Sequence, residues 1–251
     1  MTAGPTPAGI YDYMLGGTYF TEADRRAAEQ AETAAPGVRG AIVENRAFAQ
    51  RAVRYLARQG IRQFVDLGSG YPTAGAVHET AAEITAGPRV LYVDYDPAVV
   101  SLTDEIVSAP GVAAAAYDLR RPSEIMDSPE AAKVINWSQP VGVLMVAVLH
   151  FVSDAEDPAG IVAAFRARMA PRSYLVLSHG AFGADTESVE RGARAWDDAP
   201  SAMHVRTRDQ VAALFSGFNF VPPGLVSVQE WGTSRPRPET AGVVLGGVAR
   251  R

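Results

Sequence analysis

Short apolar runs alternate with helical stripes along most of the chain, beginning near residue 63. Phe64-Val65-Asp66-Leu67 is a first run, ending in Gly68-Ser69-Gly70. Helical spacing follows over 73–84, and residues 89–93 (RVLYV) form a second strand that closes on Asp94. Asp96-Pro97 then opens a helix, with the acid as N-cap and the proline in the first turn. Val99, Val100, Ile106 and Val107 are its buried side. Residues 111–117 read as a third strand, ending at Asp118. The run 141–149 (VGVLMVAVL) is apolar throughout, as suits a strand covered on both faces of a parallel sheet. Asp157-Pro158 repeats the cap signal before a helix whose core face is Ile161, Val162, Phe165 and Met169. Residues 173–177 are a fifth strand. Helices near 185–197 and 207–216 follow, then two β-rich runs, 218–228 and 241–248. Pro222-Pro223-Gly224 interrupts the first of these, which predicts an edge or bulged strand.

Before residue 63 the pattern is helical. Residues 1–9 are rich in Pro, Gly and Thr and read as an irregular tail. Residues 10–38 carry short helical patterns broken by Gly16-Gly17 and Pro36-Gly37. Over 40–59, Ile42, Val43, Phe48, Ala49, Ala52, Val53 and Leu56 make one apolar stripe, with Arg51, Arg54 and Arg58 on another face. Alternating strand and helix predicts an α/β, Rossmann-like, doubly wound sheet. We expect it to be mostly parallel and seven-stranded, with an antiparallel edge hairpin and an N-terminal helical cap. The division is 1–60 as cap and 61–251 as the ligand-binding domain.

Composition narrows the function. The 251 residues include no cysteine, which excludes a disulfide scaffold, thiolate metal sites and a cysteine nucleophile. The four histidines are too widely spaced to suggest a metal site. A net charge of −5 and no basic stripe interleaved with aromatics argue against a nucleic-acid partner. No apolar run reaches the roughly 18 residues of a membrane helix, and the basic-then-apolar start of a secretory signal is missing. A soluble cytoplasmic protein is expected, with no membrane partner and an oligomeric state the sequence leaves open.

The chemistry gathers at successive strand ends. Gly68 and Gly70 let backbone approach a ligand where a strand passes into a helix. In open parallel sheets, ligands bind beyond the carboxyl ends of such strands. Asp94, one strand-helix-strand unit later, can accept hydrogen bonds from adjacent ribose hydroxyls, and Tyr95 can lie against a purine. Asp118 can accept from an adenine amino group or pair with Arg120 or Arg121. The turn lacks the third glycine of a dinucleotide fingerprint, and no phosphate loop is present. A nucleoside ligand without pyrophosphate fits better, and S-adenosylmethionine is the obvious one.

The chain resembles class I S-adenosylmethionine-dependent methyltransferases. More specifically it resembles the actinobacterial S-adenosyl methyltransferase family formerly catalogued as a domain of unknown function. The resemblance runs over nearly the whole chain. It is carried by residues 10–17 (IYDYMLGG), Ala23-Asp24-Arg25, Glu44-Asn45-Arg46-Ala47-Phe48, 63–73 (QFVDLGSGYPT), Val93-Asp94-Tyr95-Asp96-Pro97, Val148-Leu149-His150-Phe151 and 173–179 (SYLVLSH). It departs from the family at Gly9, Tyr19-Phe20 and Ala76. It implies a methyl donor contacted by Tyr13, Arg46, Asp66, Gly68, Ser69, Gly70, Asp94, Tyr95, Asp118, Leu119 and Ala147. The segment from Tyr11 to Gly17 and Asn45-Arg46 would pack over that donor. Arg46 would meet the methionine carboxylate bidentately, or else pair with a neighbouring acid.

Methyl transfer from a sulfonium can be accelerated largely by holding acceptor and methyl in near-attack geometry. A base is needed only if the acceptor must lose a proton. Candidates are His150 and His179 beyond the fourth and fifth strands, and Tyr13 in the cap, with Tyr11 and Asp12 lining the acceptor side. Each histidine has an alternative structural reading. The leading function is methylation of a small molecule, with secondary metabolites as the class in view. A non-catalytic donor-binding module and a nucleotide-dependent oxidoreductase are the alternatives.

Overall fold

The computed structural model describes residues 4–73, 75–181, 202–233 and 243–251. The helix expected near 185–197 lies outside these residues. Three helices come first: α1 (Pro7–Met14), α2 (Glu22–Ala34) and α3 (Val38–Arg58). The expected tail is shorter than the composition suggested. Thr6 accepts the Gly9 N–H at 3.0 Å, and Pro7 stands in the first turn, so the helix begins inside that segment.

From β1 (Gln63–Leu67) the chain runs through α4 (Val77–Ala82), β2 (Arg89–Asp94), α5 (Pro97–Ile106) and β3 (Val112–Ala116). Then come α6 (Pro122–Met126), α7 (Pro129–Val134), β4 (Gly142–Val146), α8 (Pro158–Arg168) and β5 (Tyr174–Ala181). After them follow α9 (Arg208–Ala213), β6 (Asn219–Phe220), β7 (Val226–Ser227) and β8 (Val243–Arg250). The sheet order is β3-β2-β1-β4-β5-β8-β6, with β7 also paired to β8. β1 to β5 are parallel, and β8 runs antiparallel between β5 and β6. The broken edge strand is as expected: Pro222-Pro223-Gly224 leaves two short pieces, so eight strands stand among the described residues where seven were counted.

Period-two alternation sorts the strand residues onto two faces. Val65, Leu91, Val143, Met145, Leu175 and Leu177 pack with α7 and α8 through Ala131, Ile161 and Phe165. Phe64, Val90, Leu144, Val176 and Val248 pack with Phe48, Ala52, Val53 and Leu56 of α3. The first part of α3 instead meets α1 and α2 through Ile42.

Three boundaries shifted, each for a local reason. α4 starts at Val77 rather than residue 73, because Gly75 has φ +74° and Glu79 caps the Gly75 and Ala76 N–H groups at 2.8 and 3.1 Å. β4 stops at Val146, short of the apolar run's end. Ala147 turns to φ 54° and donates to Ser178 Oγ at 3.0 Å. Leu149–Phe151 then forms a 3-10 turn. β5 continues to Ala181, four residues beyond its expected end.

Candidate functional site

The carboxyl ends of β1, β2, β3 and β4 open into one cavity of about 270 Å³, roofed by α1 and α3. At β1 the turn is held from the neighbouring strand. Gly68 N and Ser69 N both donate to Val93 O, at 2.8 and 3.1 Å. Gly68 has φ +71°, and a Cβ there would collide with Val148. Gly70 has φ +62° with open space beside it. Its N–H donates to Asp94 Oδ2 at 2.9 Å, and Asp96 N donates to Oδ1 at 3.1 Å. Asp94 is therefore oriented by backbone donors, Tyr95 among them, and keeps acceptor capacity for a ligand. Burial pushes its carboxyl above the usual range, against those hydrogen bonds.

Asp66 stands at the same strand ends, buried, and burial raises its pKa to about 6, with the Arg46 charge pulling the other way. Arg46 Nη2 donates to Thr73 O at 3.2 Å, while its Nε is buried without a partner. Asn45 Oδ1 is likewise unpartnered; its Nδ2 donates to Tyr11 Oη at 3.0 Å. A buried guanidinium N–H and a buried amide oxygen left open in one cavity, together with a glycine cradle, fit a zwitterionic amino-acid ligand end. Asp118, at the end of β3, pairs with Arg120 at 2.6 Å, and Arg120 reaches on to Glu156. The guanidinium holds the Asp118 carboxyl below its usual range. The ion-pair alternative for Asp118 is thus realised, with Arg120 as partner, while Asp118, Leu119 and Arg120 all line the cavity.

Of the sequence candidates, Arg46, Asp66, Gly68, Ser69, Gly70, Asp94, Tyr95, Asp118, Leu119, Ala147 and His150 all line this cavity. Tyr13 and His179 do not, and both expectations are corrected. Tyr13 donates to Glu29 Oε1 at 3.2 Å, and its ring lies 5.0 Å from the Arg39 guanidinium. Two residues along a helix turn a side chain roughly 200°, so it is Tyr11 that faces the cavity. His179 shares the sheet face of Leu175, Leu177 and Ala181 and is fully buried. Its Nδ1 lies 2.6 Å from Gly180 O and its Nε2 2.7 Å from Arg206 Nη1. Arg206 is always a donor, so Nε2 accepts and Nδ1–H donates, leaving no lone pair free. Burial brings the pKa of His179 down to about 4.

Sequence reasoning missed Met203 and Gly180, which also line the cavity. Nothing local marks Met203, which is brought there by Arg206 and by His204 N donating to His150 O at 2.7 Å. Gly180 was hidden by the underestimated length of β5.

The model of the S-adenosyl methyltransferase family matches residues 1–251. The chain belongs to that family. It is an S-adenosylmethionine-dependent methyltransferase, which sets aside the oxidoreductase alternative. A Thermobifida fusca crystal structure, of a protein assigned as a methyltransferase, is 32% identical with a TM-score of 0.93. The match covers 99% of this chain and 95% of that one. A DUF574 family protein from Streptomyces avermitilis is 33% identical with a TM-score of 0.92, covering 99% and 98%. Human N-acetylserotonin methyltransferase shares the fold, at 15% identity and a TM-score of 0.52 over 96% of this chain and 62% of that one. No curated protein matches the chain.

Proposed function

We propose that this methyltransferase acts on a small-molecule acceptor, with secondary metabolites as the class, and that it works mainly by proximity and orientation. When bound, S-adenosylmethionine supplies an electrophilic methyl carbon on a sulfonium. Arg46 would hold the methionine carboxylate, with Asp66 and Asn45 Oδ1 on the ammonium. Asp94 would take the ribose hydroxyls, and Tyr95, Asp118 and Leu119 the adenine. Gly68, Ser69, Gly70 and Ala147 would let backbone close in around them.

A single observation supports this assignment best: the buried, unpartnered Arg46 Nε in the same cavity as the Gly68 turn. Tyr11, Ile42, Phe151 and Met203, which also line the cavity, would face the acceptor. A concave, largely apolar lining of this kind suits a small molecule. Among the described residues no helix is long and apolar enough to cross a membrane.

Isothermal calorimetry with S-adenosylhomocysteine tests the assignment. One molecule should bind per chain, and Arg46→Met should abolish binding. Heat from neither S-adenosylhomocysteine nor S-adenosylmethionine would overturn the donor site. Tritium from methyl-labelled donor should then pass to organic-soluble small molecules in a cell extract; label confined to protein or nucleic acid would overturn the acceptor class.

A further inference from the structure

The acceptor half of the cavity carries one ring whose hydrogen-bonding state is fixed from behind. His150 sits in the 3-10 turn after β4, lines the cavity and is 7% exposed. Its Nδ1 accepts the Gly180 N–H at 3.4 Å. Burial keeps the ring well below its usual pKa, and the Arg206 charge behind it acts the same way. The ring is therefore neutral, and an imidazole that accepts at Nδ1 carries its proton on Nε2. Among the described residues, no hydrogen-bond partner is found for Nε2. His150 thus presents an N–H to the cavity, which makes it a donor rather than a base.

Among the described residues the neighbouring groups supply no base either. His179 has both nitrogens engaged, by Gly180 O and Arg206. The Tyr11 hydroxyl takes the Asn45 amide and is raised by burial. Asp12 lines the cavity, but its Oδ2 is held by the Tyr19 and Phe20 N–H groups at 2.8 and 3.1 Å, and its Oδ1 is buried away from solvent beside Gly17 without a hydrogen-bond partner. Asp66 lies at the end of β1 in the field of Arg46, in the part of the cavity assigned above to the donor.

We infer that the enzyme methylates oxygen, on an uncharged phenol- or enol-type acceptor whose reacting oxygen takes the Nε2–H of His150. The inference rests on the donor reading given above. An oxygen that accepts this hydrogen bond keeps another lone pair for attack. An amine nitrogen has one lone pair, and the same hydrogen bond would occupy it. With no base facing the acceptor among the described residues, the hydroxyl must be acidic enough to release its proton to water, which a phenol or enol does and an alkanol does not. The Nε2–H stabilises the resulting oxyanion. An oxygen lone pair then forms the O–C bond as the C–S bond breaks. The bonding pair stays on sulfur as a neutral thioether, and the proton is already in solvent.

The test reads binding, so it needs no turnover. The protein is saturated with S-adenosylhomocysteine, confirmed by calorimetry, and titrated with 4-nitrophenol while phenolate absorbance is followed against pH. The bound phenol should ionise about one pH unit below the free one, a tenfold preference for the anion. His150→Gln, which retains an N–H, should keep most of that shift, and His150→Phe should lose it. 4-Nitroaniline, of the same shape, should bind at least about tenfold more weakly, or 1.4 kcal/mol. Failure of 4-nitrophenol to bind the complex overturns the inference. So does an unshifted ionisation, an equal shift in His150→Phe, or 4-nitroaniline binding as tightly. Failure of S-adenosylhomocysteine itself to bind would instead sink the donor reading.

Discussion

Arg206 Nη1 and His179 Nε2 lie 2.7 Å apart in the interior, so a permanently charged guanidinium uses a neutral imidazole as one of its acceptors. The same Arg206 donates to Leu149 O at 3.0 Å, to Val152 O at 2.8 Å and to Asp154 Oδ1 at 2.7 Å. It thereby fastens the turn that carries His150 and Phe151. Arg206→Met leaves the buried Val152 carbonyl without its donor, at about 1–3 kcal/mol for the unsatisfied group, and takes one of two donors from Leu149 O, which keeps the Val152 N–H at 3.2 Å. Urea unfolding should show that loss. Asp154→Ala removes a partner whose side chain is 77% exposed, and should cost under about 1 kcal/mol. Equal effects from the two variants would refute this account of the turn.

The same pair sets an acid limit. His179 has its pKa lowered to about 4 in the fold, from 6.5 unfolded. The unfolded chain therefore binds more protons between these values, and stability falls as pH drops from about 6.5 towards 4. His150 is shifted in the same direction. His179→Gln should flatten the fall in urea midpoint across this window.

Asp66 works in the opposite sense. Its carboxyl is raised to about 6, so keeping it ionised in the fold costs stability above that pH. A shift of this size corresponds to about 3 kcal/mol, as an order of magnitude. Asp66→Asn should raise the melting temperature at pH 7, lose that advantage as pH falls through 6, and show none below about 4. The same variant should bind S-adenosylhomocysteine poorly, since donor recognition is here set against stability.

The two glycines of the turn should differ in sensitivity. Both have positive φ, which costs an alanine about 1–2 kcal/mol. Gly70→Ala meets nothing else, whereas Gly68→Ala also drives a methyl into Val148. The second should be the more destabilised in thermal melts by a further 1–3 kcal/mol or so, and should bind the donor product more weakly.

Arg46 can be probed by trimming the ligand. Arg46→Lys loses the planar fork and should weaken S-adenosylhomocysteine by about tenfold or more. 5′-Methylthioadenosine, which lacks the amino acid, should bind wild type and variant alike. A parallel loss for both ligands would place Arg46 in the scaffold rather than on the carboxylate.

Much of the sheet and the cavity's strand-end residues was legible because their signals are local. A strand, a glycine and an acid follow one another within a few residues at Gly68 and Asp94. Helix phase was harder: whether Tyr11 or Tyr13 faces inward depends on where α1 begins, and Thr6 sets that start. His179 was misplaced for a related reason. Four extra residues of β5 put it in the pleat, where alternation turns it towards Leu175 and Leu177. Its partner Arg206 is 27 positions away, and no local pattern announces such a pair. The run 141–149 misled on length, because the positive φ of Ala147 has no signature in an apolar sequence.

Helix α3 inserts Phe48, Ala52 and Leu56 under the sheet and, within the two turns before them, sets Ile42, Asn45 and Arg46 against the cavity. Roof and foundation are one rigid rod. A relative with a different acceptor cannot be made by transplanting the first sixty residues as a module, because the graft would carry Phe48, Ala52, Val53, Leu56 and Ala57 of the core beneath the sheet with it. On the proposed reading, retuning of this enzyme would proceed by point changes at Tyr11, His150 and Phe151, which line the cavity and are not in the cores packed against the sheet.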